Sequence, residues 1–289
     1  MVQKSILVAV ILLLFYSLLF NAFPVKMTQD MQFANISRAQ NYVYNYSTKS
    51  IIIVGSSLSE RIITDSLPDA GSLAFSGLSI FDGLKVIQAK NKYPKTIIIE
   101  LNVLEKSENK NFTDYFYNPV LKFINSRLSF TRADARPVGY AIKTINYFQK
   151  KIHSNSVSAN KNNKVISIKS DNKWLKEELL RNQQSEYNSM EDSAKIMGNI
   201  ANLKKEVSLL MNKGVNIVFL QMPVDKSLIS LKRPAFINKQ IMLAFPETEF
   251  KFILPDHFNY ETNDGIHLDE NSALIYTKYI EKQLFEFNF

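Results

Sequence analysis

Three short apolar runs, each rich in β-branched residues and each bounded by turn-forming or polar residues, constrain this chain more than any other feature. They are SIIIVG at 50–55, TIIIEL at 96–101 and VNIVFLQ at 215–221. Runs of this length, with consecutive apolar residues and no polar alternation through their middle, suit strands covered on both faces. A fourth is expected at 250–254, and a short one at 73–75. Between them lie stretches with helical spacing. Helices are expected over about 58–67 and 80–90, and an amphipathic helix over 272–285. Strands that alternate with helices imply a parallel sheet with helices on both faces, so the fold class is α/β. In such sheets ligands bind beyond the carboxyl ends of the strands. Gly55, Ser56, Ser57 and Asn102 fall at those ends.

The alternation is interrupted. Residues 105–213 are long, helical in pattern, and broken near 154–164 by Asn, Lys and Ser, which reads as a helical insertion. Residues 25–49 read as a polar connector with some aromatics. Before it, residues 6–23 are apolar except for Ser17 and Asn21. As a helix those residues reach roughly 27 Å, close to the hydrocarbon thickness of a bilayer. Lys4 precedes the run, and Pro24 ends it. This predicts an N-terminal transmembrane anchor over residues 1–24 with its start in the cytoplasm and the 50–289 domain outside. The alternative is a cleaved signal peptide, disfavoured because no small-x-small site follows.

With 289 residues, 46% of them hydrophobic, the chain can bury a substantial core. It contains no cysteine, which excludes disulfides, thiol nucleophiles and cysteine-based metal sites. The formal net charge is +8, yet the cations are scattered and no nucleic-acid motif is present. A lysine-rich solvated surface is the simpler reading, and no nucleic-acid partner is expected. No phosphate loop, dinucleotide fingerprint or metal-ligand spacing occurs, so no cofactor or metal is expected.

Any imidazole chemistry must draw on His153, His257 or His267. Ser57 follows a strand and opens the next segment, where its hydroxyl would stand above the sheet, with a helix N-terminus behind it to stabilise an oxyanion. The same residue has a structural reading, because Ser57-x-x-Glu60 is a capping box. Asp264-Gly265-Ile266-His267 places a carboxylate three residues before an imidazole, so both side chains can face one site. His267 would take the Ser57 proton while Asp264 orients the ring. The alternative is a surface turn in which Asp264 bonds around Gly265. His257 sits beside Asp256 after Pro255, at a strand end where a turn role is favoured. Asp225, also at a strand end, either lines the cleft or terminates the strand.

Together these segments resemble the SGNH (GDSL-like) hydrolase superfamily. Gly55-Ser56-Ser57-Leu58 is similar to its nucleophile block, Phe75-Ser76-Gly77 to its glycine block, Glu100-Leu101-Asn102 to its asparagine block, and Asp264–His267 to its terminal Asp-x-x-His. The resemblance covers about residues 50–104 and 215–285. It implies a three-layer, flavodoxin-like domain, with Ser57, Asp264 and His267 as a catalytic triad. The oxyanion hole would be built from the backbone of Ser57 and Gly77 and the side chain of Asn102. Gly77 and Asn102 also have plain readings as turn residues. Two departures stand out: the aspartate usual before the nucleophile is Ser56 here, and the usual Gly-x-Asn-Asp is reduced to Glu-Leu-Asn.

The implied chemistry is acyl transfer without a cofactor. An anchored domain of this kind outside the cytoplasmic membrane resembles bacterial proteins that O-acetylate envelope polysaccharides. That implies a polysaccharide or glycan substrate and a multi-pass membrane acyltransferase as a partner. Esterase or deacetylase action on envelope glycans is the hydrolytic alternative. A non-catalytic, glycan-binding scaffold is the third.

Overall fold

The computed structural model describes residues 2–22, 31–44, 49–135, 173–190 and 192–287. His153 and the Asn/Lys/Ser-rich break lie outside the described residues. The chain divides into two compact units, one of residues 1–44 with 115–170, the other of residues 45–114 with 171–289.

The second unit carries a five-stranded, all-parallel sheet. Its strands are β1 (Ile51–Gly55), β2 (Ala70–Ala74), β3 (Thr96–Glu100), β4 (Asn216–Leu220) and β5 (Lys251–Ile253), in the order β2-β1-β3-β4-β5. β1 pairs with β2 from Ile51 opposite Ala70 to Gly55 opposite Ala74, and with β3 from Ile51 opposite Thr96. The three apolar runs of the sequence are therefore the three central strands. Every residue of β3 is buried, as a strand covered on both faces requires.

Side chains alternate across a sheet, and the packing shows which helix covers which face. Ile53, Ile98 and Val218 share one buried cluster with Tyr276 and Ile280 of the last helix, Glu270–Glu286. On the other face, Val54 packs so closely under the helix Ile80–Lys90 that a Cβ on its Gly83 would lie 2.5 Å from Val54 Cγ1. Phe219 stacks within 4.6–5.6 Å of Phe245, Phe250 and Phe252. The molecule is thus an α/β protein with a parallel sheet between helices.

Ten helices are described, and we number them α1 (Val2–Ala22), α2 (Met31–Tyr44), α3 (Ile80–Lys90), α4 (Lys110–Tyr117), α5 (Pro119–Arg127), α6 (Lys173–Tyr187), α7 (Ser193–Met211), α8 (Lys226–Ile229), α9 (Lys232–Ala244) and α10 (Glu270–Glu286). The helix expected over about 58–67 does not form. Two 3₁₀ turns, Ser59–Arg61 and Thr64–Ser66, stand there instead. The amides of Ser56 and Ser59 go to the Glu100 carboxylate and that of Leu58 to Ser56 Oγ. Leu67 is extended before Pro68, as the residue preceding a proline prefers.

The expected insertion at 105–213 takes in an ordinary part of the sheet domain. α7 leads directly into β4 and packs on it, and α6 also belongs to the sheet-bearing unit. Arg233 of α9, almost fully buried, holds Glu186 of α6 at 3.3 Å and Glu105 at 3.6 Å. The expected connector likewise contains α2. Within the first unit, Gln40 of α2 accepts from the Ala133 amide at 2.6 Å and donates to Tyr115 Oη at 2.6 Å.

α1 is exposed and apolar on all sides from Ile6 to Phe15, and Tyr16 Oη donates to the Ala135 carbonyl. Its backbone runs 21 residues, but its side chains are described only at 3–16 and 18. Among the described residues, no helix is long and apolar enough to cross a membrane.

Candidate active site

The sheet positions the first half of the site. Strands β1 and β3 end side by side, and the loops that follow carry Ser57 and Asn102. Gly55 closes β1, and Ser56 and Ser59 are buried beneath the turn. Ser57 itself is half-buried, with its hydroxyl facing the C-terminal loop.

That C-terminal loop is a small closed structure. Thr262 and Leu268 form an antiparallel bridge, and the Asn263 amide donates to the His267 carbonyl at 2.8 Å. The Gly265 amide donates to Thr262 Oγ1 at 3.2 Å. Gly265 has φ 97°, a left-handed conformation natural to glycine. Its carbonyl accepts from the Asp225 amide at 2.7 Å. Asp225, weighed as a cleft residue, instead caps α8 by accepting from the Ser227 amide at 2.9 Å.

These two loops bring Ser57, His267 and Asp264 together across 210 residues of chain. His267 Nε2 lies 2.9 Å from Ser57 Oγ, and His267 Nδ1 lies 2.7 Å from Asp264 Oδ2. The other Asp264 oxygen accepts from the His267 amide at 2.8 Å and from the Ile266 amide at 3.1 Å. The surface-turn reading of Asp264 and the imidazole-orienting one are thus met at once, one oxygen to each. Partial burial opposes the Asp264 charge, but the bonds from the His267 ring and from the two amides outweigh it and bring the carboxyl down to about 2. Asp264 is therefore ionised at neutral pH. With Asp264 as acceptor, Nδ1 carries the proton and Nε2 presents a lone pair to the Ser57 hydroxyl.

A pocket of about 300 Å³ opens over this group, lined by Ser57, Glu60, Arg61, Ser76 and His267. A larger cleft of about 570 Å³ begins at the neighbouring Gly77 and runs past Lys106, Lys110 and Lys195. The larger opening is lined by neither Ser57 nor His267, so the Ser57 hydroxyl belongs to the smaller one. His257 is exposed and does not line that pocket.

Oxyanion donors were expected at Ser57, Gly77 and Asn102. Among the described residues, neither the Ser57 nor the Gly77 backbone N–H has a protein acceptor. Gly77 has φ 76° and sits on the rim between the two openings. Asn102 is used differently. Its Nδ2 donates to the Met222 carbonyl at 2.9 Å and its Oδ1 accepts from the Met222 amide at 2.7 Å. This side chain prolongs the β3–β4 pairing beyond the strands, with one Nδ2 hydrogen left over.

The capping box offered by Ser57 and Glu60 is not used. Glu60 accepts from Ser76 Oγ across the pocket. The expected helix N-terminus behind Ser57 is replaced by a 3₁₀ turn, Ser59–Arg61.

Sequence reasoning assigned no role to Glu100. Its carboxylate is fully buried and accepts from Ser56 N at 2.8 Å, Ser56 Oγ at 2.8 Å, Ser59 Oγ at 2.6 Å and Ser59 N at 3.2 Å. A carboxylate ending an otherwise apolar strand was the available signal, since a buried charge requires partners.

Comparison with known proteins yields no family profile, curated protein or solved structure that matches this chain.

Proposed function

We propose that the protein is an SGNH-type serine enzyme that transfers an acyl group. The observation that carries this reading is the unbroken relay from Ser57 Oγ through the His267 ring to Asp264, with contacts of 2.9 and 2.7 Å. The strand order is the doubly wound one of flavodoxin-like folds, in which sites form at the strand carboxyl ends. This supports the resemblance, together with the order of the four sequence blocks.

In this reading Ser57 Oγ attacks an acyl carbonyl as His267 Nε2 takes its proton. Asp264 stabilises the imidazolium that results. The Ser57 and Gly77 amides hold the developing oxyanion. Any contribution from Asn102 must use the hydrogen not committed to Met222. His267 then protonates the leaving group, and Ser57 keeps the acyl group as an ester. An acceptor hydroxyl, deprotonated by His267, attacks that ester and regenerates Ser57.

The acceptor we favour is a polysaccharide or cell-wall glycan of the envelope. The adjoining cleft, walled by three lysines together with Asp82, Glu108 and several amide and hydroxyl side chains, has room and hydrogen-bonding groups for a sugar chain. α1 serves as the membrane anchor, on the strength of its sequence and its apolar surface on all sides. The acyl donor would then be a multi-pass membrane acyltransferase beside it. The test uses the full chain in detergent with p-nitrophenyl acetate, then with acetyl donor and oligosaccharides. Acetylated sugar detected by mass spectrometry and lost in Ser57→Ala supports transfer. Free acetate alone reassigns the protein as an esterase. No Ser57-dependent turnover removes the enzymatic reading and favours a scaffold. Extraction of the protein from membranes by alkaline carbonate would contradict the anchor.

A further inference from the structure

We propose that Glu100 is the positioning residue of the nucleophile, standing in for the aspartate that this chain lacks at position 56. The proposal rests on the acyl-transfer reading and adds a residue to it. The two departures from the SGNH pattern are a serine at the aspartate position and a glutamate at the glycine position. The structure makes them one change. The Ser56 hydroxyl donates to Glu100 Oε1 at 2.8 Å, so a carboxylate still lies under the nucleophile turn, delivered from β3.

The bonds that Glu100 accepts bracket Ser57. Ser56 N donates to it from one side of the nucleophile and Ser59 N from the other, with both hydroxyls added. Ser56 Oγ in turn accepts from the Leu58 amide at 3.2 Å. Three amides around Ser57 are thereby committed, directly or through one hydroxyl, to a single buried carboxyl group. The Ser57 amide is the exception, with no protein acceptor among the described residues, and is available as an oxyanion donor. Glu100 touches neither the pocket nor His267, and both its oxygens are occupied, so it acts through the loop and not on substrate.

Gly55 completes the arrangement. A Cβ there would stand 1.9 Å from Ser59 Oγ, 2.5 Å from Glu100 Oε2 and 2.9 Å from Glu100 Cβ. The bare backbone at position 55 is the space through which the glutamate reaches the turn. A glutamate at 100 thus requires glycine at 55 and hydroxyls at 56 and 59.

The test compares wild type, Glu100→Gln, Ser56→Asp, and Ser56→Asp with Glu100→Gly, all as full chain in detergent. Turnover of p-nitrophenyl acetate per folded molecule is measured, and hydrogen exchange of residues 56–60 is followed in parallel. Glutamine presents N–H groups to amides that need acceptors. Glu100→Gln should lower kcat about 10²-fold with KM unchanged, as a nucleophile misplaced by roughly 1 Å does. Exchange at 56–60 should accelerate while the rest of the sheet stays protected. Ser56→Asp alone should be as damaging, because it sets a second carboxylate against Glu100. The double variant returns the carboxylate to position 56 and should recover to within about tenfold of wild type.

Glu100→Gln with kcat within about twofold of wild type per folded molecule overturns the proposal. So does a double variant no more active than Glu100→Gln. If Glu100→Gln does not fold, the double variant alone decides. An inactive wild type defeats the acyl-transfer reading instead, and the exchange measurement still judges Glu100: unchanged protection at 56–60 in the variant overturns its positioning role.

Discussion

The two loops that meet at the site are held in different proportions from within and from outside. The His267 loop is made rigid largely from within, by the Thr262–Leu268 bridge, the Thr262 bond to Gly265 and the two amide bonds to Asp264. The Ser57 loop also closes on itself, through the Glu60 amide to the Ser56 carbonyl at 3.2 Å, but it is in addition held from below by Glu100, 44 residues away in sequence. The difference shows that a hydroxyl, an imidazole and a carboxylate can be aligned by donors and acceptors of quite different origin. A loop that is short in sequence can hold itself, whereas a turn at a strand end borrows a partner from the adjacent strand.

The comparison can be broken or sharpened by substitution. The largest effects are expected at the meeting point. Ser57→Ala and His267→Ala should each reduce kcat by on the order of 10⁴- to 10⁶-fold, and by similar amounts, because the two act as a unit. An active His267→Ala variant in the p-nitrophenyl acetate assay would redirect attention to His257.

Asp264→Asn should cost about 10²- to 10⁴-fold in kcat, since the ring loses the partner that sets its tautomer. It should also alter acid stability. The folded Asp264 carboxyl, at about 2, lies below its ordinary 3.8. Its contribution is therefore fully present above about pH 4 and is lost as pH falls through 2. In thermal melts from pH 5 to pH 2, wild type should lose stability that the asparagine variant has already forfeited. Parallel melting curves would show that Asp264 makes no such contribution.

The two loop glycines compare the modes of support directly. Gly55→Ala meets Ser59 and Glu100 at 1.9–2.9 Å and should destabilise by about 3 kcal/mol. Gly265→Ala must adopt φ 97° and meets Leu180 Cδ1 of α6 at 2.7 Å, the flexible end of a side chain. It should cost about 2 kcal/mol. Denaturant midpoints give both values, and a reversed order would mean that the Ser57 loop yields more easily than its bonding implies. Smallest is Asn102→Ala, which leaves the Met222 backbone unpaired and should cost about 1–2 kcal/mol. If kcat per folded molecule is unchanged, Asn102 is a brace between β3 and β4 and not an oxyanion donor.

The sequence by itself determined the sheet and the local half of the site. Apolar β-branched runs marked β1, β3 and β4 because a strand buried on both faces has no polar alternative. Residues 80–90 showed the period of α3 because one face of a helix must be apolar. Asp264 and His267 were legible because three residues of chain hold them together. Tertiary structure alone decided the rest. It set two 3₁₀ turns where a helix was expected after Ser57. It joined α6 and α7 to the sheet domain, because helical periodicity does not say which sheet a helix covers. It gave Asn102 to Met222, and it brought Ser57 within 2.9 Å of His267. Such choices depend on contacts between residues far apart in sequence, where periodicity and short-range spacing carry no information.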